Sequence, residues 1–362
     1  MIAKGLKGVT AAETEISFID GEQGILVYRG HEARKLAEEC SFEEVCYLLW
    51  HKKLPGREEL SGLKDRMREA RALPDYIRKM LNMLPSEMGL MEALRTAVSA
   101  LGTEEYGWKP TTDQSARITG MIPSIIAHYH HERNGTRHHE PRADLSHVEN
   151  YLFMLSGQTP DPVHVRALEA YMILGMEHGL NASTFSARVI SSSESDLVSA
   201  ICGAVGTMKG PLHGGALSGV TAMLDEIGSK ERAEDWLRGR LERGEKLMGF
   251  GHRAYRTQDP RAAALSSLAE DIGRQDKWLD LARYVEGRAI RLLAEYKPGR
   301  RLYTNVEFYA AAVMRAIRFD ADLFTPTFTA ARAAGWCAHV LEQAEDNAIY
   351  RPEAAYIGTF NK

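Results

Sequence analysis

Ser41-Phe42-Glu43-Glu44-Val45-Cys46-Tyr47-Leu48-Leu49-Trp50 opens the part of the chain where the fold is decided. A serine followed three residues later by glutamate lets each side chain satisfy the other's free backbone N–H, and apolar side chains then recur at helical spacing. Pro55 is expected to end this helix. Ser146-His147-Val148-Glu149 repeats the device ahead of Tyr151, Leu152 and Leu155, with Gly157 as the stop. The stretch from Thr112 to His131 is helical in pattern with Pro123 inside it, which predicts a kink. Further helical patterns run through Ala167–Met176, Leu197–Thr207, Leu217–Ile227, Ala233–Arg243, Lys277–Tyr296, Val306–Ile317 and Ala330–Glu345. Only the first thirty residues read as strand: Ile16, Phe18, Ile25, Val27 and Tyr28 flank an Asp20-Gly21 turn, a small hairpin. The expectation is an all-α fold of roughly fifteen to twenty helices at a mean of about 11–12 residues each.

The chain has 362 residues, a length that suggests about two domains. Hydrophobic residues make up 44% and charged residues 26%, the composition of an ordinary globular protein. With 45 basic against 49 acidic residues the formal charge is -4, so no global field recruits nucleic acid or an acidic membrane. An anion site has to be built locally. Cys40, Cys46, Cys202 and Cys337 show no metal-binding or redox spacing and read as reduced thiols. No signal-peptide core and no membrane-spanning apolar run is visible, so a soluble, cytoplasmic protein is expected.

Two irregular segments interrupt the helical regularity. Met208-Lys209-Gly210-Pro211-Leu212-His213-Gly214-Gly215-Ala216 places a histidine between glycines, where backbone can approach a ligand closely. His213 stands just before a helix N-terminus, whose dipole would keep the ring neutral and able to donate to a carbonyl oxygen. Met248-Gly249-Phe250-Gly251-His252-Arg253-Ala254-Tyr255-Arg256-Thr257-Gln258-Asp259-Pro260-Arg261 offers a second glycine-flanked histidine and three arginines, whose forks match carboxylates and phosphates. Glu177-His178-Gly179-Leu180-Asn181-Ala182-Ser183-Thr184-Phe185, Tyr303-Thr304-Asn305-Val306-Glu307, Arg332 and Arg351 complete the constellation. Taken singly, each has a bland reading as a cap, a dipole-complementing carboxylate or a solvated face.

Together they resemble the citrate synthase family. Gly-Pro-Leu-His-Gly-Gly, Gly-Phe-Gly-His-Arg-x-Tyr-x-x-x-Asp-Pro-Arg and His-Gly-x-Asn-Ala-Ser-Thr-Phe are family motifs in the family's order, and the likeness spans nearly the whole chain in its shorter bacterial form. The resemblance implies a two-domain helical homodimer. Residues 1–216 and 320–362 would form a large domain carrying the dimer contact, and residues 217–319 a small domain that closes over the site and holds much of the coenzyme A (CoA). It implies condensation of acetyl-CoA with oxaloacetate, the alternatives being propionyl-CoA as in 2-methylcitrate synthase or an enzyme that accepts both thioesters. The CoA thioester is then a substrate, and no cofactor or metal is needed.

By the same resemblance Glu307 is the base for the acyl carbon, His213 holds the thioester oxygen and His252 polarises the oxaloacetate ketone. His178, Arg261, Arg332 and Arg351 would bind oxaloacetate, Arg351 from the other subunit, while Arg256, Lys297, Arg300 and Arg301 are candidates for CoA phosphates. One departure stands out: the family's usual base is the aspartate of Pro-Asn-Val-Asp, and here the run is Thr304-Asn305-Val306-Glu307. That change is the sole support for a non-catalytic relative. A separate cluster, His128, His130, His131, His138 and His139, reads as a polar helix end rather than a metal site, with His128 and His131 sharing a face.

Overall fold

The computed structural model describes residues 3–252, 254–272 and 277–359. After a single 3-10 turn at Lys4–Leu6 come β1 (Ser17–Asp20), β2 (Ile25–Tyr28) and β3 (His31–Glu32), paired antiparallel in that order. The expected hairpin is therefore present but gains a third short strand. Its loop is also longer than an Asp-Gly turn: Asp20 still belongs to β1 and pairs with Ile25. The Asp20 carboxylate accepts from the N–H groups of Glu22 and Gln23, both at 2.9 Å, and shapes the four intervening residues.

Sixteen α-helices follow among the described residues. The first seven are α1 (Ala33–Glu39), α2 (Phe42–His51), α3 (Arg57–Ala70), α4 (Asp75–Asn82), α5 (Leu90–Ala100), α6 (Thr112–Asn134) and α7 (His147–Ser156). Then come α8 (Pro162–Gly175), α9 (Ala182–Ser192), α10 (Leu197–Met208), α11 (Ala216–Ile227) and α12 (Lys230–Glu242). The last four are α13 (Pro260–Ile272), α14 (Lys277–Tyr296), α15 (Val306–Ala316) and α16 (Phe324–Glu345). No helix among the described residues is long and apolar enough to cross a membrane.

Start and stop chemistry matches the sequence reading closely. Ser41 accepts from the Glu44 N–H while Glu44 accepts from the Ser41 N–H, and the same box forms at Ser146 and Glu149. Gly157 closes α7 in the left-handed conformation at φ 69°. Helix α2, however, ends before Pro55: Lys52 takes the left-handed C-cap at φ 65°. Helix α6 continues through Pro123.

The centre of the molecule is α16, buried along most of its length and packed against α9, α6, α8, α10 and α2. Gly335 makes this packing possible. A Cβ there would lie 2.1 Å from the Met176 carbonyl oxygen, so only glycine lets α16 press on the end of α8. One turn earlier Arg332 donates Nε–H to the Gly175 carbonyl at 2.6 Å. In an exposed helix Gly→Ala would gain about 0.5–1 kcal/mol. Here Gly335→Ala should instead destabilise by about 1–3 kcal/mol through overpacking. A lowered urea midpoint at unchanged slope checks this, and a raised one contradicts it.

Candidate active site

Residues 249–251 and 303–305, far apart in sequence, pair as two antiparallel strands of minimal length. The Gly251 N–H donates to the Tyr303 carbonyl at 2.7 Å and the Asn305 N–H to the Gly249 carbonyl at 2.9 Å. Asn305 adds Nδ2–H to the Gly251 carbonyl at 3.0 Å. Both glycines sit at φ 83°, and a Cβ would strike Phe308 from Gly249 or Leu302 from Gly251, each at 2.9 Å. His252 leaves one strand immediately, and Glu307 lies in the first turn of α15 just after the other.

His252 is held by its own loop: Nδ1 accepts from the N–H groups of Ala254 at 3.0 Å and Tyr255 at 3.3 Å. A neutral ring so held carries its proton on Nε2. Arg261 Nη2 lies 3.4 Å from that Nε2, so two donors converge on one space. Arg261 is fixed in turn by a two-pronged ion pair with Asp259, through Nε at 3.0 Å and Nη2 at 2.9 Å, both residues buried. Asp259 Oδ2 also accepts from the Val306 N–H at 3.1 Å, tying Arg261 to the N-terminus of the helix that bears Glu307. Burial would raise the Asp259 carboxyl, but Arg261 holds it below the ordinary value. His178 packs edge-on against the His252 ring at 5.2 Å, its Nε2 3.1 Å from the Tyr255 hydroxyl. Burial and then Arg261 lower the His252 pKa to about 4, and the same two causes push His178 well below its usual range.

His213 lies in the turn between α10 and α11, where its N–H donates to the Gly210 carbonyl at 2.9 Å. Its Nε2 is 2.8 Å from the Ser183 hydroxyl, which donates to Asn181 Oδ1 at 2.8 Å and accepts from Trp336 Nε1 at 3.1 Å. Nδ1 has no hydrogen-bond partner among the described residues. The pKa falls to about 4, chiefly through burial and secondly through Arg332. Neutrality was expected from the helix dipole; desolvation is the stronger cause.

His213 and Glu307 line one small cavity together with Gly214, Arg261, Val306, Ala310, Tyr171, Gly175 and Phe328. Glu307 Oε2 and the Tyr171 hydroxyl are both buried with no hydrogen-bond partner among the described residues. Two such orphans at one cavity mark a place where a ligand completes the bonding. Burial raises the Glu307 pKa, with Arg261 opposing. Arg332 is buried beneath the Phe328 ring, 4.9 Å from its centroid.

The structure thus gathers His178, His213, His252, Arg261, Glu307 and Arg332. Arg351 is exposed in the segment after α16, which is anchored by Tyr350 through its N–H to Ser192 Oγ at 3.1 Å and its ring on Phe185. Arg256, Arg300 and Arg301 are exposed and Lys297 half-buried; their side chains bond nothing among the described residues. Arg253 lies outside the described residues. Asp259, Ser183, Tyr255 and Tyr171 were not singled out. The first three sit inside the quoted motifs, whereas Tyr171 looks in sequence like any core residue of a helix. Removing Asp259 strands the buried Arg261, so Asp259→Ala should cost about 3–5 kcal/mol in chemical denaturation. A loss below about 1 kcal/mol, the size of a surface pair, would show that the guanidinium is not held as described.

The family model for citrate synthase, C-terminal domain, matches residues 5–353. The citrate synthase of Haloferax volcanii is 41% identical, over 99% of this chain and 96% of that one. A 2-methylcitrate synthase of Mycobacterium tuberculosis is 39% identical, over 99% and 91%. The crystal structure of citrate synthase from Thermotoga maritima superposes with a TM-score of 0.90 at 38% identity, covering 100% of this chain and 97% of that one. A ternary complex of Thermoplasma acidophilum citrate synthase with carboxymethyl coenzyme A and oxaloacetate gives 0.93 at 30% identity, with the same coverage. The chain belongs to the citrate synthase family.

Proposed function

We propose that the protein condenses acetyl-CoA with oxaloacetate and hydrolyses the resulting citryl-CoA to citrate and CoA. The observation that carries this reading is the facing of His213 and Glu307 across one cavity whose wall includes Arg261, with His252 behind it. Glu307 takes a proton from the acyl methyl. His213 donates to the thioester oxygen as the enol forms, which requires its proton on Nδ1 and so the Ser183 hydroxyl proton turned from Asn181 Oδ1 to Nε2. The enol carbon attacks the oxaloacetate ketone, and His252 passes its Nε2 proton to the oxygen that becomes the citrate hydroxyl. Water then cleaves the thioester.

Arg261, Arg332 and His178 hold the oxaloacetate carboxylates, joined by Arg351 of a second subunit in a homodimer. Arg256, Lys297, Arg300 and Arg301 receive the CoA phosphates. Residues 217–319 close as a unit over the rest, excluding bulk water until condensation is complete. Two neutral imidazoles supply the polarisation, so no metal or cofactor enters the reaction, and the setting is cytoplasmic.

Propionyl-CoA is the second reading, because the 2-methylcitrate synthase relative is nearly as similar as the citrate synthases. The cavity wall at Val306, Ala310 and Phe328 is apolar, and one methyl is worth only about 1–3 kcal/mol there. Specificity constants for the two thioesters, measured by thiol release, decide between them.

Glu307→Gln should lower turnover by about 10²–10⁴-fold while calorimetry still shows oxaloacetate binding. Turnover within a few-fold of the parent would remove Glu307 as the base. The longer side chain moves the carboxylate by over an ångström, and a misplacement of about 1 Å can cost roughly a hundredfold. Glu307→Asp should therefore preserve or raise turnover, and a fall would show a site adapted to glutamate.

The pH profile follows from signs. Glu307 acts ionised and its pKa is raised, so activity should fall with decreasing pH already above the ordinary carboxylate value. His213 and His252 act neutral and titrate near 4, so no inflection belongs near 6.5. An acid limb at 6.5 abolished by substituting either histidine would contradict this.

A further inference from the structure

Helix α6 ends in the left-handed Gly135 at φ 61°, and the Thr136 N–H returns to the His131 carbonyl at 3.0 Å. This reversal folds the following segment back over the helix end and lays the His138 ring on that of His128, centroids 4.3 Å apart. His128 and Glu132, four residues apart, share a helix face. His138 Nε2 lies 3.1 Å from Glu132 Oε2. One ligand atom from each of His128, Glu132 and His138 lies within 4.8 Å of the other two.

His131, the expected partner of His128, is committed elsewhere: Nδ1 meets Thr136 Oγ1 at 2.7 Å and Nε2 the Met154 carbonyl at 2.8 Å. His138, by contrast, has its Nδ1 buried with no hydrogen-bond partner among the described residues. His128 Nε2 is 2.7 Å from Asn82 Oδ1, an acceptor that places the proton there and leaves Nδ1 its lone pair.

We propose that His128, Glu132 and His138 bind a divalent transition-metal ion of the zinc class, remote from the catalytic chemistry. Two imidazoles and one carboxylate suit zinc, cobalt or nickel rather than magnesium or calcium, which prefer all-oxygen sites. Bonds of about 2.0–2.2 Å require the ligand atoms to close to roughly 3–3.5 Å of one another, a movement available to three half-buried side chains. Three protein ligands leave a position for water. None of the three lines the cavity at Glu307, so the ion acts as a clip between α6 and the segment leading to α7.

The test uses the whole chelator-washed protein, titrated with Co²⁺ by visible absorption and with Zn²⁺ by calorimetry. One ion per chain is expected, with ligand-field bands and a raised melting temperature. Asn82→Ala should weaken binding by about ten- to hundredfold and Glu132→Gln and His138→Asn by at least as much. Cys202→Ser should change nothing. Glu132→Gln conserves shape at a half-exposed position, so it reads binding rather than folding. The proposal fails if no saturable one-to-one binding appears, if Glu132→Gln and His138→Asn bind as the parent does, or if Cys202→Ser abolishes binding.

Discussion

A pairing only three residues long, 249–251 against 303–305, is the constraint on which the rest of the site depends. It joins two loops more than fifty positions apart and sets His252 and Glu307 on neighbouring exits. Asp259 reinforces the junction from behind by gripping Arg261 with both oxygens while accepting from the first N–H of α15. The arginine that faces His252 and the helix that presents Glu307 are therefore not independently adjustable. The two glycines follow as a requirement, because at each of them a side chain would meet Phe308 or Leu302.

The electrostatics of the site run against the chain as a whole, whose formal charge is -4. Arg261 and Arg332 are both buried, and the imidazoles beside them are driven neutral by the same burial and by those charges. Asp259 compensates Arg261; among the described residues no carboxylate bonds Arg332, whose Nε is spent on a carbonyl and whose main opposing charge is the buried Glu177. A buried cation with no carboxylate bonded to it is costly unless a partner arrives. In the proposed reaction that partner is the oxaloacetate dianion. The neutral rings then serve as hydrogen-bond donors rather than as further charges.

How much of this is legible before folding depends on the range of the interaction. Helix limits at Ser41, Ser146 and Gly157 are local chemistry, and they appear where local rules place them. Pro55 misleads because Lys52 reaches the left-handed conformation first. The Asp20-Gly21 signal misleads because the Asp20 side chain builds a longer loop. The candidate constellation is visible through family motifs, but its geometry is not. That Ser183 holds His213, that Asp259 binds the Val306 N–H, and that the Tyr171 hydroxyl reaches the cavity with no hydrogen-bond partner among the described residues all follow from how distant segments pack. Periodicity carries no information about them. The same holds for His138, placed beside His128 only by the reversal at Gly135.

The most direct test is a crystal structure of the closed enzyme with oxaloacetate and a non-reactive CoA thioester analogue. A Glu307 oxygen should stand about 3–3.5 Å from the acyl carbon, with His213 on the thioester oxygen and His252 Nε2 on the ketone oxygen. A carboxylate turned away from the acyl group, or ligands seated outside the cavity shared by residues 213 and 307, would contradict the assignment.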